Sequence, residues 1–181
     1  MKTHELVPHI ACPPRRVSTV TVYVAQHHPG WLWLRWRIDT ARRLVAPRFA
    51  GAGRADGLWQ TTCFELFLRP EAGEGYCEFN FSPSDRWNAY DFDRYRDGMR
   101  ERPGEAAPVC TMRTGRVFAL FEAAIPLSLL PNAPCAMGLS AVIEEEGEEK
   151  SFWALAQPAG HRPDFHDPAC FAATLHPRGA V

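Results

Sequence analysis

The stretch Leu58–Tyr95, LWQTTCFELFLRPEAGEGYCEFNFSPSDRWNAYDFDRY, decides how the chain is read. Its first run, Thr61–Leu68 (TTCFELFL), is apolar and strand-favouring apart from one carboxylate, Glu65. A charge in such surroundings must be paired, neutralised or turned toward a wet cavity, because burying it alone is very costly. The second run, Tyr76–Phe81 (YCEFNF), alternates with period two, so Cys77, Phe79 and Phe81 share one face and Tyr76, Glu78 and Asn80 the other.

Pro and Gly between Arg69 and Gly75 break the pattern, which predicts an antiparallel hairpin. Pairing Glu65 with Glu78 keeps both carboxylates on one face, whereas a one-residue slip would set Glu65 beside Phe79 and Phe81. The favoured register therefore has Glu65 opposite Glu78, with Asn80 nearby. Like charges placed opposite each other destabilise a sheet, so a cation or hydrogen-bond donor is expected there. Two readings stay open: a ligand-binding face, or a structural ion pair with an arginine such as Arg35 or Arg37.

The wider chain sets bounds. Its 181 residues suggest one domain spanning 1–181, with residues 1–16, polar and Pro-rich, as a surface arm. At 46% hydrophobic and 23% charged, the composition is that of a globular protein. A net charge of -1 gives no electrostatic case for nucleic acid or an anionic membrane. No run of apolar residues is long enough for a transmembrane helix. The segment MKTHELVPHIACPP carries no apolar signal core, which points to a cytoplasmic address. The six cysteines, none spaced C-x-x-C, are expected to be free thiols without metal.

In chain order, strands are expected at Val17–Ala25, Trp31–Ile38, Thr61–Leu68, Tyr76–Phe81, Trp87–Phe92, Val109–Arg113, Val117–Pro126, Ala136–Ile143, Ser151–Ala156 and Phe171–Leu175. A turn is expected at Gln26–Gly30, a long excursion over Asp39–Gly57, and a solvated acidic loop over Glu144–Glu149. Many short strands without a long amphipathic helix predict an all-β fold, a jelly-roll-like β-sandwich with an immunoglobulin-like sandwich as the alternative. In Pro163–Pro168 (PDFHDP), Asp164 or Asp167 is expected to cap backbone N–H groups and Phe165 to plug the sandwich end, shaping a pocket rim. The rival account makes His166 a metal ligand or proton shuttle with those aspartates.

The blocks LWQTTCFELFL, YCEFNFSP and RWNAYDF, with SFWALAQP and PDFHDP further on, resemble the DOMON-like group related to family 9 carbohydrate-binding modules, over roughly Val17–Leu175. The last two blocks resemble its cytoplasmic bacterial branch. The resemblance implies a jelly-roll sandwich and a site holding a sugar between two tryptophans. Trp59 and Glu65 are similar to a ligand-binding Trp and Glu of the sugar binders. Glu78 or Asn80 sits where a second polar contact would lie, and Trp153 is the candidate for the opposite wall. The chain departs from the sugar binders in having no visible attachment to a glycosidase.

A pyranose offers apolar C–H faces and a rim of hydroxyls. The expected site therefore has Trp59 and Trp153 as walls and Glu65, Glu78, Asn80 and Arg86 as rim, and acts as a non-catalytic binding site for a small carbohydrate-like ligand without cofactor. The first alternative is a glycoside-acting enzyme using Glu65 and Glu78 as its carboxylate pair. The second is a haem-binding domain, for which Met99, Met112 and the histidines are the available axial ligands.

Overall fold

The computed structural model describes residues 2–26 and 29–176. Thirteen strands are found among them: β1 Lys2–Pro8, β2 Thr19–Ala25, β3 Trp31–Asp39, β4 Gly53–Arg54, β5 Cys63–Pro70, β6 Tyr76–Phe81, β7 Arg86–Phe92, β8 Arg100–Glu101, β9 Val109–Thr114, β10 Phe118–Pro126, β11 Cys135–Glu145, β12 Glu149–Ala154 and β13 Ala173–Leu175. One sheet runs β1–β2–β3–β10–β9 and the other β4–β7–β6–β5–β11–β12–β1, with β13 beside β11 and β8 beside β7. Among the described residues only β4 pairs in parallel, with β7. The fold is the all-β sandwich expected.

β1 belongs to both sheets. Lys2–Leu6 pair with β2, and Val7 and Pro8 pair with Ala154 and Trp153 of β12. The segment expected as a surface arm is thus the seam that curls the two sheets into one. Its period-two signal is weak because most of its side chains are exposed and only Leu6 is fully buried. Of the turn expected at Gln26–Gly30, residues 27 and 28 lie outside the described residues. The excursion Asp39–Gly57 contributes β4, which extends the second sheet.

The space between the sheets is filled by alternate residues of each strand. Leu32, Leu34, Trp36 and Ile38 of β3 face Phe64, Leu66 and Leu68 of β5 and Phe79 and Phe81 of β6 in one cluster. Trp36 packs against Phe64, Phe81 and Phe121. The second sheet is buried on its other face too. There Cys63, Phe67, Tyr76, Tyr90, Phe92 and Val142 meet Phe165, Cys170 and Phe171 from the chain that follows β12. This double cover is why all six residues of β6 are buried, and it places Glu65, Glu78 and Asn80 under a roof.

The hairpin β5–β6 forms with Glu65 opposite Asn80 and Phe67 opposite Glu78. The expected pairing of Glu65 with Glu78 is displaced by two residues. An even shift leaves every side chain on its face, so the two carboxyls still share one. The reason is direct: the opposed pairs become carboxyl–amide and carboxyl–aromatic, which avoids two like charges directly across the ladder.

Glu145 departs from the solvated loop expected at Glu144–Glu149. It is buried, and its carboxylate accepts the backbone N–H groups of Arg15, Arg16 and Val17 at 2.8, 2.9 and 3.3 Å. It thereby pins the link between β1 and β2. Replacing it by Ala leaves three N–H groups without their acceptor and is expected to lower unfolding free energy by about 3 kcal/mol, with Gln costing less because one oxygen remains. Urea denaturation of both variants checks this; an E145A protein as stable as the parent would contradict it.

Candidate functional site

A cavity of about 350 Å³ lies between the second sheet and its roof. Glu65 and Phe67 of β5, Glu78 of β6, Phe92 of β7, Val142 of β11 and Phe152 of β12 make its floor. Arg96 and Met99, from the loop after β7, and Pro163, Phe165 and His166 make the roof. Trp59 stands at one side on a 3-10 turn, Leu58–Gln60, that begins at Gly57 with φ 71°. The residue is 41% exposed, and its ring meets that of Tyr90 edge-on with centroids 6.4 Å apart.

The polar groups of the floor are nearly sealed: Glu65 is 2% and Glu78 6% exposed. Ser140, directly opposite Glu65 on β11, donates its hydroxyl to Glu65 Oε2 at 2.9 Å. Asn80 Nδ2 donates to Glu78 Oε1 at 2.7 Å. The second oxygen of each carboxyl has no protein hydrogen-bond donor among the described residues. Burial first, then the nearby Glu78 charge, push the Glu65 carboxyl up to about 8; burial pushes Glu78 up to about 7. Near neutral pH the pair therefore retains protons that carboxyls in water would have lost.

His166 hangs from the roof among ring edges, 5.3 Å from the Phe67 centroid and 5.2 Å from that of Phe92. Its tautomer follows from its neighbours. The Arg96 backbone N–H donates to Tyr76 Oη at 3.2 Å, and Tyr76 Oη lies 2.7 Å from His166 Nδ1. Burial, then the Arg96 charge, hold the imidazole down at about 4, so the ring is neutral. The Tyr76 hydroxyl, which stays protonated, then donates to Nδ1, and the ring hydrogen sits on Nε2, 3.7 Å from Glu78 Oε2. That separation is too long for a hydrogen bond, and with a neutral ring the contact is no ion pair.

Arg96 lines the cavity, its charge acts on both carboxyls, and it is the cation that sequence reasoning missed. Its backbone takes φ 53°, in the left-handed region. Its guanidinium, however, is held by Asp164, with Nη2 to Oδ1 at 2.6 Å, and Tyr95 Oη donates to Asp164 Oδ2 at 2.5 Å. Burial pushes the Asp164 carboxyl up, but the bonds from Tyr95 and Arg96 outweigh it and keep it ionised. Tyr95, Arg96 and Asp164 thus form a clasp that ties the loop after β7 to the segment carrying His166.

Trp59, Glu65 and Glu78 come together at the cavity, and Asn80 supports Glu78 from beside it. Trp153 does not. It pairs with Ala141, faces the sandwich core and donates its indole N–H to Ser151 at 2.9 Å. Parity decides this: its neighbour Phe152 pairs with Val142 and takes the cavity side. Arg86 is also elsewhere, donating to the Ala50 carbonyl at 2.7 Å and bracing the loop before β4. Arg35 and Arg37 lie on the first sheet, paired with Glu122 and Asp39. In the PDFHDP turn, Asp164 accepts from the His166 N–H at 3.1 Å and Asp167 from the Ala169 N–H at 2.8 Å, the capping roles expected. No group of three metal-ligating side chains occurs among the described residues.

A wider groove of about 970 Å³ lies on the outer face of the first sheet, lined by Trp31, Trp33, Val109 and Ala124 among others. Its charges are matched internally: Glu122 meets Arg35 at 2.6 Å and Arg113 at 2.5 Å. Of the two, the smaller cavity is the one that combines aromatic walls with carboxyl oxygens that lack donors.

The raised carboxyls carry a signed consequence for stability. A carboxyl whose folded value lies above its unfolded value stabilises the fold while protonated, and that contribution is lost as pH rises through the folded value. His166, held down, acts oppositely between its folded and unfolded values, about 4 and 6.5. From about pH 6.5 to 8.5 the parent is therefore expected to lose more thermal stability than an E65Q/E78Q double variant. Melting temperatures across that range check this; parallel profiles would contradict it.

No protein-family model and no curated protein matches the chain. Among solved structures, the chain is similar to a candidate carbohydrate-binding protein from Bacteroides uniformis ATCC 8492, with TM-score 0.63 and 20% identity over 94% of this chain and 84% of that one. It is also similar to a family 9 carbohydrate-binding module from Caldicellulosiruptor kristjanssonii solved in complex with glucose, with TM-score 0.46 and 12% identity over 78% of this chain and 69% of that one. The first likeness, at that identity, shows a shared fold.

Proposed function

We propose that the protein binds a small carbohydrate-like molecule, without catalysis, in the cavity beside Trp59. The observation that carries this reading is the pairing, in one cavity, of aromatic and apolar walls with two buried carboxyls whose free oxygens have no protein donor. A pyranose supplies what each part lacks: C–H faces for Trp59, Phe92 and Phe152, and hydroxyls for Glu65 and Glu78. A protonated carboxyl donates to a ligand oxygen and an ionised one accepts from a hydroxyl, so a pair holding protons near neutrality serves both senses. The His166 Nε2–H adds a further donor at the roof. A volume of about 350 Å³ suits a monosaccharide-sized guest better than a long chain.

Non-catalytic binding is supported by how the two carboxyls are tuned. Glycoside hydrolysis needs one carboxyl as acid and the other ionised as nucleophile or base. Here burial raises both and the Arg96 charge acts on both, so the surroundings do not set one carboxyl apart as the acid and the other as the base. Met99 and His166 both line the cavity, but both stand in its roof rather than facing each other across it, so they are not placed as the two axial ligands of a haem.

Trp59→Ala is expected to weaken binding by about 1–3 kcal/mol, the weight of an aromatic anchor at a binding site. The fold should be little affected, since the ring is exposed and lies outside the buried clusters. Calorimetry with a panel of monosaccharides, comparing parent and variant, is the test. Binding unaffected by the substitution, or no heat with any sugar at millimolar concentration, would overturn the proposal.

A further inference from the structure

The cavity is short of positive charge. Two carboxyls, Glu65 and Glu78, point their free oxygens into it. Arg96, the arginine that lines the cavity, is already held by Asp164 at 2.6 Å, and that carboxylate is itself ionised. His166 is neutral, with its ring hydrogen facing Glu78. The nearby Tyr76 and Cys63 are neutral too, burial pushing both upward. Among the described residues no lysine lines the cavity. With a wholly neutral guest each carboxyl either keeps its proton or lies buried as a charge without a partner. A guest bearing an ammonium group would satisfy them both at once, through charge-assisted hydrogen bonds stronger than those between neutral partners.

Resting on the carbohydrate reading above, we infer that the preferred guest is a cationic amino sugar, with its free ammonium seated between Glu65 and Glu78 and its ring edge against Trp59. The ammonium brings three donors, two of which match the carboxyl oxygens that lack them. Its arrival favours the ionised carboxylates, so binding drives protons out of the pair into solvent. An N-acetylated amino sugar has lost that charge and adds bulk, and is not expected to gain the advantage.

Calorimetry at neutral pH with glucosamine, N-acetylglucosamine and glucose, in two buffers of different ionisation enthalpy, tests this. Glucosamine is expected to bind about tenfold or more tightly than the other two and to release protons to the buffer, and Glu78→Gln should remove most of that preference. The Gln variant keeps the shape of the carboxyl, and its melting curve reports whether it is folded; the proton release is read on the parent and does not depend on it. Glucose binding as tightly as glucosamine, or glucosamine binding without proton release, would overturn the inference and leave the carbohydrate reading standing. No binding of any of the three would overturn the inference, and no binding of any sugar in the wider panel would overturn both.

Discussion

The candidate site depends on one constraint: two carboxyl groups sit on a sheet face that is covered. β5 and β6 could expose Glu65 and Glu78 only if the second sheet had a wet side. Around these residues it has none, because Phe165, Cys170 and Phe171 close over that part of the sheet. The protein meets the cost with one donor for each carboxyl, Ser140 and Asn80, by retaining protons, and by leaving an unfilled space beside them. Filling that space with an aliphatic side chain would serve packing better. The sandwich core between the sheets, with Trp36 and its ring partners, shows that this chain can pack large side chains densely where nothing else is required.

The roof is held by polar contacts rather than by strand pairing alone. Arg96 reaches Asp164 by its guanidinium and Tyr76 by its backbone N–H, and Tyr76 in turn fixes the His166 tautomer. One short chain of hydrogen bonds thus joins the loop after β7, the floor and the roof. The clasp itself is exposed, so its ion pair adds only modestly to stability. Its effect is to position the imidazole over Glu78 and to keep the Arg96 charge occupied.

Much of the fold was legible in the sequence because alternation was clean where one face differed from the other. Trp31–Ile38 gave its core face correctly, and Tyr76–Phe81 put Glu78 and Asn80 with Tyr76. The shared face of Glu65 and Glu78 followed from the same period, and it survives the two-residue shift in pairing. Legibility failed where both faces are apolar. In SFWALA, Phe152 and Trp153 are equally hydrophobic, and no pattern says which looks inward. It failed again where an element is held by backbone, as in β1, or where a side chain arrives from a loop. Nothing in RYRD foretells that Arg96, through a left-handed backbone, reaches the roof. Glu145 was hidden for a related reason, since an acidic run looks solvated whether or not one member caps a distant segment.

The most direct measurement is a crystal structure of the protein soaked with glucosamine and, separately, with glucose. The account predicts sugar density in the cavity, with the ring against Trp59 and polar atoms within hydrogen-bond distance of Glu65 and Glu78. Density seated instead in the outer groove of Trp31 and Trp33, with the cavity beside Trp59 holding only water, would contradict it.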